Sequence, residues 1–455
     1  MFSSGSGRST AASHWPLTPC YSTAYGFHSA LLRVLSISSN VKYRMKLARS
    51  GAHRALVILA ATLFGRGLFA QAFPPAALLG EHLGDLLRTD VRRIDVRYAQ
   101  PALGLHAASH SPDRVKALYV NVWAFSTNRL WHLVRLADST EINALVIDVK
   151  DDTGCLLYPS TVPTAREVGA SACARTRTAR ERLDTLHAHG IYPIARIVVA
   201  KDPLLAERKA TWAVRDIGGE LWRDRIGSAW VDAHNDSVWI YAAQLAQEAI
   251  LLGFREIQFD YVRFPDEPAT RLARAIFPAR RQGETVRGSI QRHVKLLVGR
   301  LDHLGVPITF DIFGLTAQAT GDLGIGQVWE DFIAVADVVL PMVYPSHYYR
   351  GAFGLERPNH HPYLVVRRAL QEALERTRKP GSARIRPYLQ AFTLGRRLPR
   401  YTPHEIKEQI RAAEELGITS WVLWNPRSVY QRDSLRPYRN SPERAASSPS
   451  EPGGE

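Results

Sequence analysis

The chain has 455 residues, of which 45% are hydrophobic and 22% charged, a composition typical of globular proteins rather than of disordered or fibrous ones. Its formal net charge is +15, but eight positive charges lie within residues 1–72, which contain no Asp or Glu, so the remainder carries only +7. That remaining charge is spread along the chain without the clustering and interleaved aromatic residues of a nucleic-acid surface, and it indicates a solvated basic surface.

The N-terminal segment has the layout of a secretory signal peptide. Residues 45–54 are basic, residues 55–64 form an apolar run, and Ala70 and Ala72 flank a candidate cleavage site. The layout favours Met45 as the true start and predicts export to the periplasm or the extracellular space. The alternatives are an uncleaved N-terminal anchor and a transit peptide that begins at Met1. The apolar run is too short to span a bilayer by itself, so no stable membrane span is expected after cleavage.

The rest of the chain divides into a lead-in at 73–114, a barrel domain at 115–430 and a disordered tail at 431–455. Within the barrel domain, short apolar segments alternate with longer segments of helical periodicity. The predicted strands are residues 117–122, 144–149, 192–198, 256–261, 307–312, 337–343, 385–391 and 420–424. Near-continuous apolar strands separated by helices predict a parallel sheet, and eight such repeats predict an α/β fold, the (β/α)8 TIM barrel.

Three cysteines are present, and Cys20 falls in the leader. Cys155 and Cys173 would remain in an exported protein, where the oxidising environment permits a disulfide between them. The alternative is a pair of free, buried thiols.

The fourth predicted strand carries the strongest functional signal. Glu256, Gln258 and Asp260 alternate with apolar residues, so the three polar side chains share one face of the strand. Burying such a row is costly unless the groups are paired or line a cavity. In a parallel barrel this face points inward, and Asp260 lies at the C-terminal end of the strand, where barrel enzymes place their chemistry.

Other predicted strands also end in polar groups. Asp148, Asp260 and Asp311 are the candidate catalytic residues, because glycoside hydrolysis requires one carboxyl group to donate a proton and another to attack the sugar or activate water. The alternative for each is a structural ion pair with a nearby basic residue. The candidate substrate-binding residues are Lys150, Arg196, Arg263, Tyr344, His347, Gln390, Trp424 and Asn425.

Nothing in the sequence calls for a cofactor. His, Cys and Asp residues show no metal-ligand spacing, so no metal site is expected. A glycine-rich phosphate loop and a Gly-x-Ser-x-Gly nucleophile turn are both absent from the sequence.

Six segments are similar to motifs of a known family. They are residues 146–152 (VIDVKDD), 194–197 (IARI), 256–265 (EIQFDYVRFP), 341–348 (PMVYPSHY), 386–390 (RPYLQ) and 421–425 (WVLWN). Over about residues 115–430 the chain resembles the bacterial family of putative glycosyl hydrolase domains, which implies a glycosidase-like (β/α)8 barrel. A further resemblance to the α-amylase clan implies a nucleophile at Asp260. In that clan the general acid is a Glu after strand five, and this chain has Asp311 there instead. The acid Glu of chitinase-like enzymes would fall on Val262, so the resemblance does not support their mechanism here.

These observations lead to a hypothesis with one main rival. The main hypothesis is an exported glycoside hydrolase that acts on a polysaccharide or oligosaccharide, with Asp260 as nucleophile or base and Asp311 as general acid. The rival is a non-catalytic carbohydrate-binding barrel of the cell envelope. A third role, at a nucleic acid or a membrane surface, is supported only by the residual positive charge. The sugar, the linkage, the stereochemistry and the oligomeric state stay open at this stage.

Overall fold

The computed structural model describes residues 111–395 and 399–438. The predicted leader, most of the lead-in and residues 439–455 of the predicted tail lie outside the described residues. The first residues of that tail differ from the prediction: residues 432–434 form a 3-10 turn and Leu435 is buried. Pro437 forms a β-bridge with Thr140, so this short segment packs against the barrel domain.

The chain forms a closed barrel of eight parallel strands, which confirms the predicted (β/α)8 fold. The strands are β1 (Lys116–Val120), β2 (Ala144–Lys150), β3 (Tyr192–Val198), β4 (Glu256–Asp260), β5 (Ile308–Phe313), β6 (Val338–Met342), β7 (Arg384–Ile385 and Tyr388–Gln390) and β8 (Trp421–Trp424). Each strand pairs with its sequence neighbours, and the barrel closes because β8 pairs in parallel with β1.

Strand β7 consists of two short pieces. Arg384–Ile385 pairs with the start of β6, and Tyr388 pairs with Met342 near its end. Pro387 lies between the pieces, and a proline cannot donate a ladder hydrogen bond. The Arg386 side chain meanwhile contacts Glu256 inside the barrel, with 2.6 Å between Nη1 and Oε1.

Eleven α-helices occur in the described ranges. They are α1 (Val122–Ser126), α2 (Arg129–Asp138), α3 (Pro163–Glu167), α4 (Ala179–Ala188), α5 (Pro203–Arg208), α6 (Asp236–Leu252), α7 (Ala269–Leu272), α8 (Val286–Leu301), α9 (Trp329–Ile333), α10 (Pro362–Arg376) and α11 (Pro403–Glu414). Their ends follow the sequence signals: α6 ends at Gly253, whose φ of 125° suits glycine. Helix α11 begins with a capping box formed by Thr402 and Glu405.

The described residues form two hydrophobic cores, as the layered barrel requires. The larger one fills the space between the strands and the helices. The smaller one fills the barrel itself with residues such as Val146, Ile194 and Leu340. The Glu256–Arg386 ion pair lies at the N-terminal end of the interior, since Glu256 is the first residue of β4. The C-terminal end of the barrel is therefore where the remaining inward polar groups collect.

The long segment between β3 and β4 starts at the C-terminal end of the barrel. It contains α5 and a two-residue strand, Arg215–Asp216, that pairs antiparallel with Ala275–Ile276 from the segment after β4. The two loops at this end of the barrel are thus joined. Among the helices of the described part, none is long and apolar enough to cross a membrane.

Candidate active site

Three carboxylates converge on one guanidinium group inside the C-terminal half of the barrel. Arg196 Nη1 donates to Asp148 Oδ1 at 2.5 Å, and Nη2 donates to Asp260 Oδ2. The Nε atom of Arg196 lies 3.4 Å from Asp311 Oδ2. All four residues are buried, with 1–5% of their surface exposed. The predicted catalytic aspartates and the predicted Arg196 are therefore brought together as one cluster.

Strand register explains this convergence. Arg196 on β3 pairs with Asp148 on β2 and with Gln258 on β4. Inward-facing positions alternate along each strand, so Asp260 follows Gln258 on the same face. Asp311 lies near the end of β5, the next strand around the barrel. Residues separated by tens of positions in sequence thereby share one layer of the interior.

Aromatic rings cover one side of the guanidinium. The rings of Tyr119 and Trp424 stack with their centroids 3.7 Å apart. The Cζ atom of Arg196 lies 5.5 Å from the Tyr119 ring and 5.1 Å from the Trp424 ring, within cation–π range. Tyr119 also donates its hydroxyl proton to Asp148 Oδ2 at 2.5 Å. Tyr119 was missed in the sequence, although its inward position on β1 follows from strand alternation.

Asp311 is the most strongly perturbed carboxyl group of the cluster. Burial and then the nearby charge of Asp260 raise its pKa well above the usual range, and Arg196 only partly opposes them. Gln258 Nε2 donates to Asp311 Oδ2 at 3.0 Å and also contacts the Tyr388 hydroxyl at 2.5 Å. Asp311 Oδ1 is buried without a hydrogen-bond partner. A neutral Asp311 would therefore carry its proton on Oδ1.

Asp148 is a second carboxyl group with a raised pKa. Burial raises the pKa of Asp148 to about 6, against the opposing effects of the Arg196 charge and the Tyr119 hydrogen bond. Burial lowers the pKa of Arg196, but the charges of Asp148 and Asp260 outweigh burial and raise it well above the usual value. The guanidinium therefore remains charged at any pH at which the carboxylates are ionised.

Asp260 lies at the end of β4, next to a strained turn. Its Oδ1 atom accepts a hydrogen bond from the backbone N–H of Tyr261 at 2.5 Å. Tyr261 has a φ of 53°, a left-handed conformation that costs a bulky residue roughly 1–3 kcal/mol. Lys201, Arg263 and Trp230 pack around the Tyr261 ring and hold it in place. Strain of this kind is concentrated at functional sites.

Lys150, predicted to bind substrate, lies apart from the cluster. The β2–β3 register shifts between Asp148 and Lys150, so the alternation of inward and outward side chains breaks there. Lys150 Nζ donates to Asp202 Oδ2 at 2.5 Å and lies 5.6 Å from the ring of Tyr241 on α6. With 1% of its surface exposed, Lys150 belongs to the barrel's outer core, so the arrangement gives no support to a substrate-binding role.

Arg263, also predicted to bind substrate, lies among aromatic rings at the barrel mouth. Its Cζ atom is 4.6 Å from the Tyr261 ring, 4.7 Å from the Phe313 ring and 5.4 Å from the Trp230 ring. Nη1 donates to the Phe264 carbonyl at 3.2 Å. Its charge is thus surrounded by ring faces rather than by carboxylates.

Gln390 and Asn425 hold the loops that follow β7 and β8. Gln390 accepts a hydrogen bond from Ser346 N at 3.1 Å and donates to Phe392 O at 2.9 Å. Asn425 Nδ2 donates to Ala391 O at 2.7 Å, and its Oδ1 accepts from Arg427 N. Both amides are engaged with backbone groups, so in this arrangement they position the loops at the mouth.

Tyr344 and His347 belong to an aromatic cluster after β6. Their ring centroids are 5.2 Å apart, and the Phe392 ring lies 5.8 Å from Tyr344. Tyr344 is also part of the inner core of the barrel. This cluster forms a second aromatic wall of the mouth, distinct from the Tyr119–Trp424 stack.

A disulfide links two positions in the loop after β2. Cys155 and Cys173 form a bond with their Cα atoms 5.6 Å apart. The same loop contains Asp152, which accepts a hydrogen bond from Lys201 Nζ at 2.8 Å. Lys201 in turn lies 5.5 Å from the Tyr261 ring, so this loop reaches the turn beside Asp260. Across the residues described, no group of three His, Cys, Asp or Glu side chains is arranged to hold a metal ion.

A family with the description "Putative glycosyl hydrolase domain" matches residues 117–430. A hypothetical protein from Ruminiclostridium thermocellum is 36% identical, with a TM-score of 0.38, over 43% of this chain and 96% of that one. The PgaB (BpsB) glycoside hydrolase domain from Bordetella bronchiseptica is 14% identical, with a TM-score of 0.49, over 71% of this chain and 99% of that one. An α-galactosidase from Thermus thermophilus is 14% identical, with a TM-score of 0.44, over 71% of this chain and 60% of that one. No curated protein matches the chain.

Proposed function

The chain belongs to the family described as "Putative glycosyl hydrolase domain", and from this membership we propose that it hydrolyses glycosidic bonds of a polysaccharide or oligosaccharide. Asp260 acts as the nucleophile or the base, and Asp311 as the general acid. The observation that supports these roles is that the two carboxyl groups lie in different electrostatic environments. Asp260 is bound by the charged Arg196 and by a backbone N–H, whereas Asp311 has a strongly raised pKa.

The chemistry follows from those settings. Asp311 gives its proton to the glycosidic oxygen as the bond to the anomeric carbon breaks, and the leaving sugar departs as an alcohol. Asp260 either attacks the anomeric carbon or removes a proton from an attacking water molecule. Arg196 keeps the negative charge of Asp260 compensated before the reaction, and the Tyr119–Trp424 stack offers a ring surface to the sugar.

The test compares two variants on the same substrates. Reducing-end release from a panel of bacterial and plant polysaccharides identifies an active substrate for the wild type. Asp260→Asn should then lose nearly all activity. Asp311→Asn should lose about 10²–10⁴-fold, the usual contribution of general acid catalysis. Asp311→Asn should retain more of its activity on aryl glycosides with good leaving groups, because such groups depart without a proton.

Asp138→Asn is the matched control, because this half-exposed carboxylate on α2 pairs with His189 and lies outside the cluster. It should retain wild-type activity. Equal activity of Asp260→Asn and the wild type would rule out the assigned role of Asp260. Equal loss by Asp311→Asn on good and poor leaving groups would rule out the acid role of Asp311.

One observation favours the rival function, a non-catalytic carbohydrate-binding barrel. The three aspartates expose 5% of their surface or less, and all of them contact Arg196, as members of a structural ion-pair network would. A binding barrel would show no turnover by the wild type on any member of the panel, together with sugar binding that survives Asp260→Asn.

Export of the protein is a separate part of the proposal. The signal-like layout of residues 45–72 and the Cys155–Cys173 disulfide both suit an oxidising compartment outside the cytoplasm. Mass spectrometry of the N-terminus of the protein produced in a bacterial host tests it: a mature protein that begins near residue 73 supports cleavage, and an intact leader contradicts it.

A further inference from the structure

Arg263 is a buried cation whose charge has no carboxylate partner in the described ranges. Only 4% of its surface is exposed, and no acidic side chain lies within ion-pair distance of it. A guanidinium group has five N–H donors, and within the described ranges the Arg263 side chain forms one hydrogen bond, to the Phe264 carbonyl. None of its nitrogen atoms is both fully buried and without a partner, so the unpaired nitrogens keep a small accessible surface.

Arg263 lies at the C-terminal end of the barrel. Arg263 follows Asp260 by three residues, and its guanidinium lies 4.7 Å from the ring of Phe313. Phe313 is the last residue of β5, two positions after Asp311 on the same strand face, and it packs against the inner core. The side chain of Arg263 is therefore held above the ends of the two strands that carry the proposed catalytic aspartates.

Two other buried basic side chains at this end of the barrel have acidic partners. Arg196 contacts three aspartates, and Lys201 is paired with Asp152. Arg263 differs from them because only aromatic rings and one carbonyl surround its charge. Cation–π contacts offset part of the cost of burying a guanidinium, but a buried charge normally has an anionic partner. Arg263 has none among the described residues, so its charge is available to an anionic ligand.

We propose that Arg263 binds an acidic group of the substrate, a carboxylate or a phosphate carried by a sugar of an acidic polysaccharide. This inference rests on the proposed function and specifies its substrate class. The planar fork of a guanidinium matches both anions with paired N–H···O bonds. Because three aspartates lie deeper in the barrel, they would repel an acidic sugar unless Arg263 bound its negative charge. Binding of that charge at Arg263 would therefore orient the sugar as it enters the site.

The experiment measures binding in the Asp260→Asn background, so that turnover does not consume the ligand. The probes are oligogalacturonate, alginate oligosaccharides and hyaluronan oligosaccharides, each beside its carboxyl-reduced neutral form, and a phosphomannan beside its dephosphorylated form. Isothermal titration calorimetry gives the Kd of each. At least one acidic probe should bind about tenfold or more tightly than its neutral form, the factor expected for a charge-assisted pair. The uronate and phosphate arms identify which anion is recognised.

Two substitutions assign that preference to Arg263. Arg263→Gln should bring the acidic and neutral forms to equal affinity. Arg263→Lys should retain part of the preference, since it keeps the charge but loses the planar fork. The lysine variant also keeps the test valid if the glutamine variant does not fold, as circular dichroism would reveal.

The outcomes separate this inference from the proposed hydrolysis. If no acidic probe binds more tightly than its neutral form, or if the preference survives Arg263→Gln, the inference is overturned while any measured hydrolysis of neutral glycans stands. If acidic probes bind through Arg263 and the wild type hydrolyses neither them nor any member of the polysaccharide panel, the inference stands and the proposed hydrolysis fails.

Discussion

At the scale of single residues, Arg196 determines the charge state of the site. One guanidinium contacts three buried carboxyl groups, and a single positive charge cannot compensate three negative ones in a medium of low polarity. Protons therefore remain on part of the cluster, which is why Asp311 and Asp148 both have raised pKa values. An acid and a base can coexist in one site for this reason.

Asp148 gives a testable pH dependence of stability. Its pKa of about 6 in the folded protein exceeds the value near 3.8 of an unperturbed aspartate, so the folded state stays protonated up to a higher pH than the unfolded state. This contribution to stability is full below pH 4 and is lost as the pH rises through 6. The free energy of unfolding of the wild type, relative to Asp148→Asn, should fall by up to about 3 kcal/mol between pH 4 and pH 7.

Urea unfolding of both proteins at the two pH values measures this difference. The comparison with Asp148→Asn cancels the titration of groups outside the Arg196 cluster, since the asparagine removes only this carboxyl group. A difference that stays constant from pH 4 to pH 7 would contradict the raised pKa of Asp148.

At the scale of elements, the loop after β2 and the start of α5 are built around one close contact. Asp202 binds Lys150 and also caps α5 by accepting a hydrogen bond from Leu205 N at 2.8 Å. Gly154 packs directly against it: a Cβ atom at this position would lie 2.1 Å from Asp202 Oδ1. Glycine is therefore required at position 154 for two reasons: a larger side chain would clash with Asp202, and the φ of +85° is unfavourable for other residues.

Gly154→Ala should therefore destabilise the protein more than Gly169→Ala does. Gly169 is the matched control, because it has a similar φ of +82° and the methyl group of an alanine there would have no atom within 4 Å. Each alanine should cost roughly 1–2 kcal/mol for the left-handed backbone. Gly154→Ala should cost about 1–3 kcal/mol more for the steric clash. Chemical denaturation of both variants measures this, and equal destabilisation would show that the Asp202 contact is easily relieved.

At the scale of the whole molecule, loops from different strands are tied together above the barrel. The disulfide constrains the loop after β2, and the Asp152–Lys201 ion pair connects that loop to the segment after β3. The small antiparallel sheet connects the segments after β3 and β4. Cross-links of this kind fix the shape of the mouth, which isolated loops would leave variable.

The disulfide should contribute substantially to global stability. The cysteines are 18 residues apart, and closing a loop of that length stabilises a protein by about 3 kcal/mol in the chain-entropy model. The double variant Cys155→Ser/Cys173→Ser should lose about that amount in urea unfolding. Reduction of the wild type should reproduce the loss and leave the double variant unchanged. An unchanged wild type after complete reduction would contradict the predicted contribution.

The sequence by itself determined the architecture of this protein and the face on which its chemistry lies. Period-two alternation placed Asp260 inside the barrel, and eight apolar segments between helices indicated eight uninterrupted strands whose ends lie within two residues of the observed ones. Strand β7 was the exception, since Pro387 divides it. These features are local, because they depend on the order of side chains along one strand or helix.

Only the tertiary structure decided which side chains meet. The convergence of Asp148, Asp260 and Asp311 on Arg196 depends on the register of four strands, and further partners of the cluster come from β1, β4 and β7, namely Tyr119, Gln258 and Tyr388. A bulge in β2 turned Lys150 away from the mouth, although its spacing from Asp148 predicted the opposite. Register and bulges arise from packing across the closed barrel, and no segment of the sequence contains that information alone.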